Sequence, residues 1–349
     1  MICKTSMKKV LLLSELFVPP YDEGMKVTAL NLLKGIKHHV DCIGLGPCED
    51  ENGLIQPTAI SKILYSKRLR KEINRQKPDF IFYIPEASAT LHSFIRYRVL
   101  RFISKGAGTA MVALQNREYS SLTQRIITFI NPHTLFVPST LMSDIFKKIG
   151  IDTHLLSAGV DIEKFTPVSP ETKYALREKY QVPQDKYIIL HVGHIRASRN
   201  VKMFLSLIDQ PEMQVLLVGS TSTPQEDELK RELRQAGILI IDKFVPENQE
   251  LYQLADCYVF NVRERSGAME FPISVLEAIA CNLPVLTTPF GSLPENFPAS
   301  DDFRYFTTSE ELKNELQNMR NCISKTRERV EKFSWKNVAN QLLGKCRVL

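Results

Sequence analysis

The chain has 349 residues, 44% of them hydrophobic and 24% charged, which excludes disordered and collagen-like classes and leaves room for two ordinary globular domains. The net charge of +6 is carried unevenly: residues 1–165 hold 22 Lys/Arg against 15 Asp/Glu, and residues 166–349 hold 23 against 24. The first half is therefore the one suited to an anionic partner, whether a lipid surface, a charged acceptor or nucleic acid.

Apolar runs such as residues 10–13 fall far short of the roughly 20 residues that cross a bilayer. The start "MICKTSMKKV" lacks the apolar stretch of a signal peptide, and Met7 is a candidate initiator. Seven cysteines (3, 42, 48, 257, 281, 322 and 346) form no Cys-x-x-Cys pair and no zinc-ligand spacing, as expected of reduced thiols in a cytoplasmic protein.

In chain order, "KKVLLLSELFVPPYDEGMKVTALNLLKGI" from Lys8 predicts a buried strand, a Pro/Gly loop, and a helix with Val27, Leu30 and Leu33 at helical spacing. Further strands are predicted at 40–45, 79–84, 109–114, 134–138 and 153–158, with helical segments between most of them. Such short, apolar, widely spaced strands suit a parallel sheet with helical crossovers. The pattern restarts with strands at 187–193, 213–219, 238–242, 257–262 and 283–288. Residues 160–186, polar and with three prolines, read as an inter-domain connection. The expected domains are 1–166 and 167–331, followed by a final segment, 332–349, whose helix packs back toward the first domain.

In open α/β sheets, ligands bind beyond the carboxyl ends of strands, where loops lead into helix N-termini that offer free N–H groups. Three loops of the second half suit that role. "HVGHIRASRN" places His194, Arg196, Ser198 and Arg199 after Gly193, ahead of a helix predicted from near Val201. "SGAMEFPISVLEA" has Ser266 and Gly267 in the loop and Pro272 at the predicted first helical position. "TTPFGSLPE" carries Gly291. Glu277 lies five residues past Pro272, about 8 Å along the axis. With a diphosphate held at the helix start, that carboxylate could accept both hydroxyls of an attached ribose. Left unpartnered among Ile273, Val275, Leu276 and Ile279, it would cost several kcal/mol.

The segment "EFPISVLEAIACNLPVLTTPFGSLPE" resembles the donor-site signature of the group 1 (family 4) glycosyltransferases. "SAGVDIEKFTP" is similar to that family's crossover, "LHVGHIRASRNV" to its Val-Gly loop, and "FSWKNVANQLL" to its last helix. The resemblance implies a GT-B fold, two Rossmann-like parallel-sheet domains facing a central cleft that closes over the substrates. It implies transfer of a sugar from a UDP- or GDP-sugar to an acceptor hydroxyl, usually with retention, without a cofactor. By position, Glu277 binds ribose; the backbone of Phe271, Pro272 and Ile273 faces the donor phosphate or sugar; Gly193, His194, Arg196 and Arg199 line the diphosphate. Lys243 and Phe244 lie where the base docks, and Gly24 lets the first domain approach the diphosphate. Glu270 is one residue out of the register of the family's first Glu, which lands on Met269, and could still reach the donor sugar. Gln115 and Asn116 stand where many relatives have a His-Asp pair, and are candidates for the acceptor side. The crossover Asn becomes Ala158.

The basic half adds two helical stripes. Over 59–76, Tyr65, Leu69 and Ile73 share one face, with Lys67, Arg68, Lys71 and Arg75 on the other. Over 91–105, Arg98, Arg101 and Lys105 stand opposite Ile95, Val99 and Phe102. On a shared surface they would hold the protein to an anionic membrane, consistent with a lipid-linked or cell-surface glycan acceptor and a location at the inner face of the membrane. No nucleic-acid recognition motif, no Gly-x-Gly-x-x-Gly after a first strand and no Asp-x-Asp pair for a metal is present. A non-catalytic relative that binds a nucleotide sugar or a partner protein is the competing reading, motivated by Met269, Ala158 and Gln115.

Overall fold

The computed structural model describes residues 8–348 apart from 51, 61, 62, 64, 65, 105, 131 and 222–225. Met7, Cys3, Tyr65 and Lys105 lie outside the described residues. By contact the chain divides into two compact units: Met1–Tyr21 with Met25–Gly159 and Trp335–Leu349, and Asp22–Gly24 with Val160–Ser334.

The first unit runs β1 (Lys9–Ser14), α1 (Gly24–Lys37), β2 (Asp41–Gly46), β3 (Ile55–Pro57), α2 (Lys67–Gln76), β4 (Phe80–Ile84), α3 (Leu91–Ile103), β5 (Gly108–Val112), α4 (Ser121–Ile130), β6 (Leu135–Val137), α5 (Thr140–Lys147) and β7 (Thr153–Leu155). Its seven strands are ordered β3-β2-β1-β4-β5-β6-β7, each pair parallel. β1 and β4 are apolar on both faces because helices cover both sides. Helix starts are written in the chain: the hydroxyls of Ser66, Thr90 and Ser139 accept from the N–H three residues on, capping α2, α3 and α5. The buried faces of α2 to α5 share one core, with Leu69, Ile73, Phe94, Tyr97, Leu100, Ile103, Ile127, Ile130, Met142 and Phe146 packed on the sheet.

The second unit continues with α6 (Pro170–Lys179), β8 (Tyr187–Val192), β9 (Met213–Val218), α7 (Asp227–Gln235), β10 (Leu239–Ile241), α8 (Gln249–Gln253), β11 (Cys257–Phe260), α9 (Ile273–Ala280), β12 (Val285–Thr287), α10 (Leu293–Asn296), β13 (Phe303–Tyr305) and α11 (Ser309–Met319). The last helix, α12 (Trp335–Lys345), is counted with the first unit. The six-stranded sheet is ordered β10-β9-β8-β11-β12-β13, again all parallel. In both sheets the order reverses direction beside the unit's first strand, between β1 and β4 and between β8 and β11. These are the switch points at which α/β sheets bind ligands.

Several expectations are corrected. β3 and β13 are too short, three residues each, to give a pattern that the sequence reveals. The predicted helix over 59–76 begins only at Lys67, where Ser66 caps it. In α1 the buried residues are Thr28, Ala29, Leu32, Leu33, Gly35 and Ile36, so of the three apolar positions singled out only Leu33 faces the core. Residues 160–186 form no free connection. Val160 N–H donates to Phe333 O (2.8 Å), Arg327 donates to the carbonyls of Ile162 (2.9 Å) and Phe165 (2.7 Å), and α6 follows with Pro170 at its start. The division therefore falls at Gly159–Val160, upstream of Pro167.

Candidate functional site

Three loops of the second unit leave adjacent strands β8, β11 and β12 on the carboxyl side of the sheet. Each strand ends in polar groups. Asn261 and Asn200 clasp two of the loops: Asn261 Nδ2 donates to Asn200 O (2.8 Å) and Asn200 Nδ2 to Asn261 O (3.2 Å), with Asn200 at φ +56, a conformation Asn tolerates. Thr288 Oγ1 donates to Val262 O, and Ser292 N–H donates to Glu270 O (3.0 Å). Gly291 has φ +54, and a Cβ there would overlap Glu270 O. Only glycine lets the loop after β12 close on the loop that carries Glu270.

After Gly193 the chain enters two short 3-10 helices, Ala197–Arg199 and Val201–Leu207, in place of the predicted α-helix. An anion at this loop therefore depends on side chains, since no sustained helix dipole points at it. Arg199 Nη1 and His191 Nε2 lie 3.4 and 3.3 Å from the position of a Cβ on Gly193, which brings all three together. Arg199 is partly exposed, yet the protein around its guanidinium pushes its pKa down to about 10. Among the described residues no carboxylate oxygen lies within 4.0 Å of it. Burial, with the Arg199 charge second, lowers His194 to about 4, and burial lowers His191 likewise, while its Nδ1 meets Val259 O at 2.9 Å. Both imidazoles are neutral at pH 7. Arg196 precedes the first 3-10 turn in extended backbone.

Pro272 stands at the N-cap of α9, one place earlier than predicted, with φ −69, ψ 119 and no side-chain cap. Val275 N–H turns back to Pro272 O (3.3 Å), and no side chain caps the N–H groups of Ile273 and Ser274 before it. The Phe271 ring packs on Phe333 (5.4 Å) and Phe297 (6.2 Å), so only its backbone can serve the site, and Ile273 is 8% exposed. Glu277 is buried and its partner is Tyr252 of α8, whose hydroxyl donates to Oε2 (2.6 Å). Burial raises the carboxyl to about 7 despite that bond and the Lys164 charge. Glu270 is fully buried. Gly24, counted with this unit, abuts the same loop: a Cβ on it would stand 2.8 Å from Met269 Sδ and 3.6 Å from Ile273 Cγ1.

Lys243 and Phe244 follow β10 and are exposed, Phe244 by 45%, while their neighbour Asp242 is paired with Arg234 (2.9 Å) and Lys230 (3.3 Å). Gln115 and Asn116 belong to the first unit. The Gln115 N–H donates to Ser88 Oγ (2.8 Å), which donates to Gln115 O (2.8 Å). Asn116 is buried, its side-chain oxygen taking the Arg117 N–H (2.9 Å).

Residues 172–329, inside the second unit, match the model of the family described as glycosyl transferases group 1. The chain is 23% identical over 271 residues, 66% of its length and 70% of the relative's, to a GDP-mannose-dependent monoacylated alpha-(1-6)-phosphatidylinositol monomannoside mannosyltransferase of Corynebacterium glutamicum. It is 30% identical over 145 residues to a D-inositol 3-phosphate glycosyltransferase of Mycolicibacterium smegmatis, covering 39% of this chain and only 32% of that relative. Among solved structures, Anabaena HepE in complex with UDP-glucose superposes with a TM-score of 0.76 at 16% identity, over 98% of this chain and 100% of that one. Sucrose-phosphate synthase from Thermosynechococcus elongatus gives 0.76 at 16%, over 97% and 98%. The fold is GT-B. Within it, the GT-B second unit carries the polar loops described above.

Sequence reasoning missed Tyr252, His191, Asn200 and Asn261. Two left a trace, since His191 and Asn261 are polar residues in otherwise apolar strand ends. Tyr252 left none, because its partner is 25 residues away on another helix.

Proposed function

We propose that this chain is a glycosyltransferase that moves a hexose from a UDP- or GDP-sugar to an acceptor hydroxyl, with retention and without a metal. The observation that carries the reading is the Arg199 guanidinium, crowded by protein and, among the described residues, within 4.0 Å of no carboxylate oxygen, on a loop clasped by the Asn200–Asn261 pair to the loop that opens α9. Such a cation favours a bound anion, and a diphosphate fits the combination of Arg196, Arg199, the Gly193 backbone and the uncapped amides of α9.

As the glycosidic bond breaks, positive charge grows on the sugar ring and negative charge on the departing diphosphate. The two arginines and the α9 amides stabilise the latter, and neutral His194 adds a hydrogen bond without competing charge. Glu277 clasps the ribose from its buried position, oriented by Tyr252. Glu270, three residues before the first residue of α9, serves the donor sugar, and exposed Phe244 with Lys243 offers a platform for the base. Gln115 and Asn116 stand on the acceptor side, and Gly24, with no Cβ to strike Met269 Sδ, lets its loop lie close to the loop before α9 that faces the diphosphate. The acceptor is a lipid-linked or cell-surface glycan, reached by peripheral contact with an anionic membrane on the cytoplasmic side. No helix of the described residues is long and apolar enough to cross a membrane.

The test is a thermal-shift screen of nucleoside diphosphates and their sugars, followed by donor hydrolysis and transfer assays. A ligand that binds only the folded state raises the melting temperature, so one class of diphosphate should stand out. Stabilisation without turnover would favour the non-catalytic reading, and no stabilisation by any diphosphate would refute the donor site.

A further inference from the structure

The helices α3 and α4 each carry a second apolar stripe in addition to the one they bury. On α3 the core takes Phe94, Tyr97, Leu100 and Ile103, while Ile95, Val99 and Phe102, spaced i, i+4, i+7, are left on the outside. On α4 the core takes Ile127 and Ile130, while Leu122, Ile126 and Phe129 repeat the same outward spacing. Exposure reaches 82% for Phe102, 89% for Phe129 and 68% for Leu122. Soluble proteins scatter such side chains singly, and a contiguous group marks a binding face.

Both helices follow β-strands in the same direction along the sheet and contact each other, so the stripes share one surface. Neither helix contains an Asp or Glu, whereas Arg98, Arg101 and Arg125 are interleaved with the apolar side chains. The charges of Arg101 and Arg98, after burial, hold His133, in the connection after α4, below its ordinary pKa. α2 packs on the same sheet face and presents exposed Lys67, Arg68, Arg70 and Lys71.

We propose that the first unit docks on an anionic lipid bilayer through this face, with Phe102 and Phe129 entering the boundary of the acyl region and the arginines pairing with headgroup phosphates. A bilayer suits the side chains because they protrude. A protein partner must supply a matched pocket for each ring, whereas fluid lipid closes around any of them, and cations ringing an apolar centre are the arrangement that interfacial segments use. The inference deepens the peripheral-membrane part of the proposed function and gives it an apolar component that salt alone does not remove.

Co-sedimentation of the full chain with phosphatidylcholine vesicles, with and without phosphatidylglycerol, tests it. The wild-type chain should pellet with the anionic vesicles and far less with neutral ones. Phe102→Ser/Phe129→Ser should lower the partition coefficient at least about tenfold, and Arg98→Gln/Arg101→Gln should weaken binding most at low salt. Because both rings are exposed, the double serine variant should keep the wild-type melting temperature and the same thermal shift with nucleoside diphosphates. Donor binding and membrane docking therefore fail separately. Unchanged sedimentation of the double variant, no wild-type binding to anionic vesicles, or a wild-type dimer that light scattering shows dissociating on the serine substitutions would each overturn the proposal.

Discussion

Replacing Arg199 by Met tests the anion site with two measurements that must move in opposite directions. The guanidinium keeps its charge at neutral pH because its pKa, though lowered chiefly by burial, stays near 10. A depression of that size corresponds to at most about 3.5 kcal/mol of unfavourable charging, at roughly 1.4 kcal/mol per tenfold change, and to less once solvent around the partly exposed side chain is counted. Met retains the apolar stem and deletes the charge, so the ligand-free protein should be as stable as wild type or more so, with a gain of about 2–4 °C in melting temperature for each kcal/mol recovered. Turnover should fall by about 10²–10³, or about 2.7–4 kcal/mol, the cost of removing one well-placed donor to a developing anion. The assays are scanning fluorimetry on the ligand-free variant and initial rates with the nucleotide sugar that the screen selects. Wild-type turnover would refute the role. So would a melting temperature that falls together with activity, since that would make Arg199 a structural cation. Opposite signs in stability and function are the mark of a residue held strained for its ligand.

The remaining predictions concern the neighbouring loops. Since burial raises Glu277 to about 7 and the Tyr252 bond works against that rise, donor KM should increase as pH falls from 8 to 6. Tyr252→Phe should move that limb to higher pH without a comparable change in kcat, and a KM that is flat with pH would count against a ribose-binding carboxylate. The same raised acid makes the ligand-free fold lose stability as pH rises from the ordinary carboxylate range, about 4.3, through about 7, and Glu277→Gln should flatten that slope in urea titrations. Gly291→Ala puts a Cβ into Glu270 O at φ +54 and should cost roughly 2–4 kcal/mol in denaturant unfolding, with the nucleotide-induced thermal shift lost as well. Phe244→Ala, at an exposed ring, should leave the melting temperature alone and raise donor KM several-fold, about 0.5–1.5 kcal/mol of stacking; an unchanged KM would move the base elsewhere.

Much of this fold was legible because parallel sheets bury both faces of their strands. The runs at β1, β4, β8, β9 and β11 announce themselves as mainly apolar segments, and the loops after them as Gly- and Pro-marked breaks. The edge strands β3 and β13 were not legible, for three residues at a sheet margin carry no period. In the site, the short-range features were readable: Gly193 with its cations, the helix opening near Pro272, and the acid at Glu277. What was hidden depends on contacts distant in sequence. The Asn200–Asn261 clasp spans 61 residues and the Tyr252–Glu277 bond 25, and no local pattern encodes either. Even the conformation after Gly193 was misjudged, because "VKMFLSL" has helical composition and still winds as a 3-10 segment.

The faces of α3 and α4 show what periodicity alone leaves open. Apolar residues at i, i+4, i+7 predict burial only on the premise that each helix has one apolar stripe and one partner. Here the sheet takes Phe94, Tyr97, Leu100 and Ile103 from α3 and Ile127 and Ile130 from α4, and among the described residues no second layer of this unit covers Ile95, Phe102, Leu122 or Phe129. The hydrophobic effect still acts on those rings, at about 25 cal/mol for each Å² left in water, so keeping them exposed is a standing cost to the isolated chain. A cost borne on adjacent turns of two helices, with arginines interleaved and no acid among them, would be offset by the proposed lipid surface, apolar beneath and negative at its headgroups.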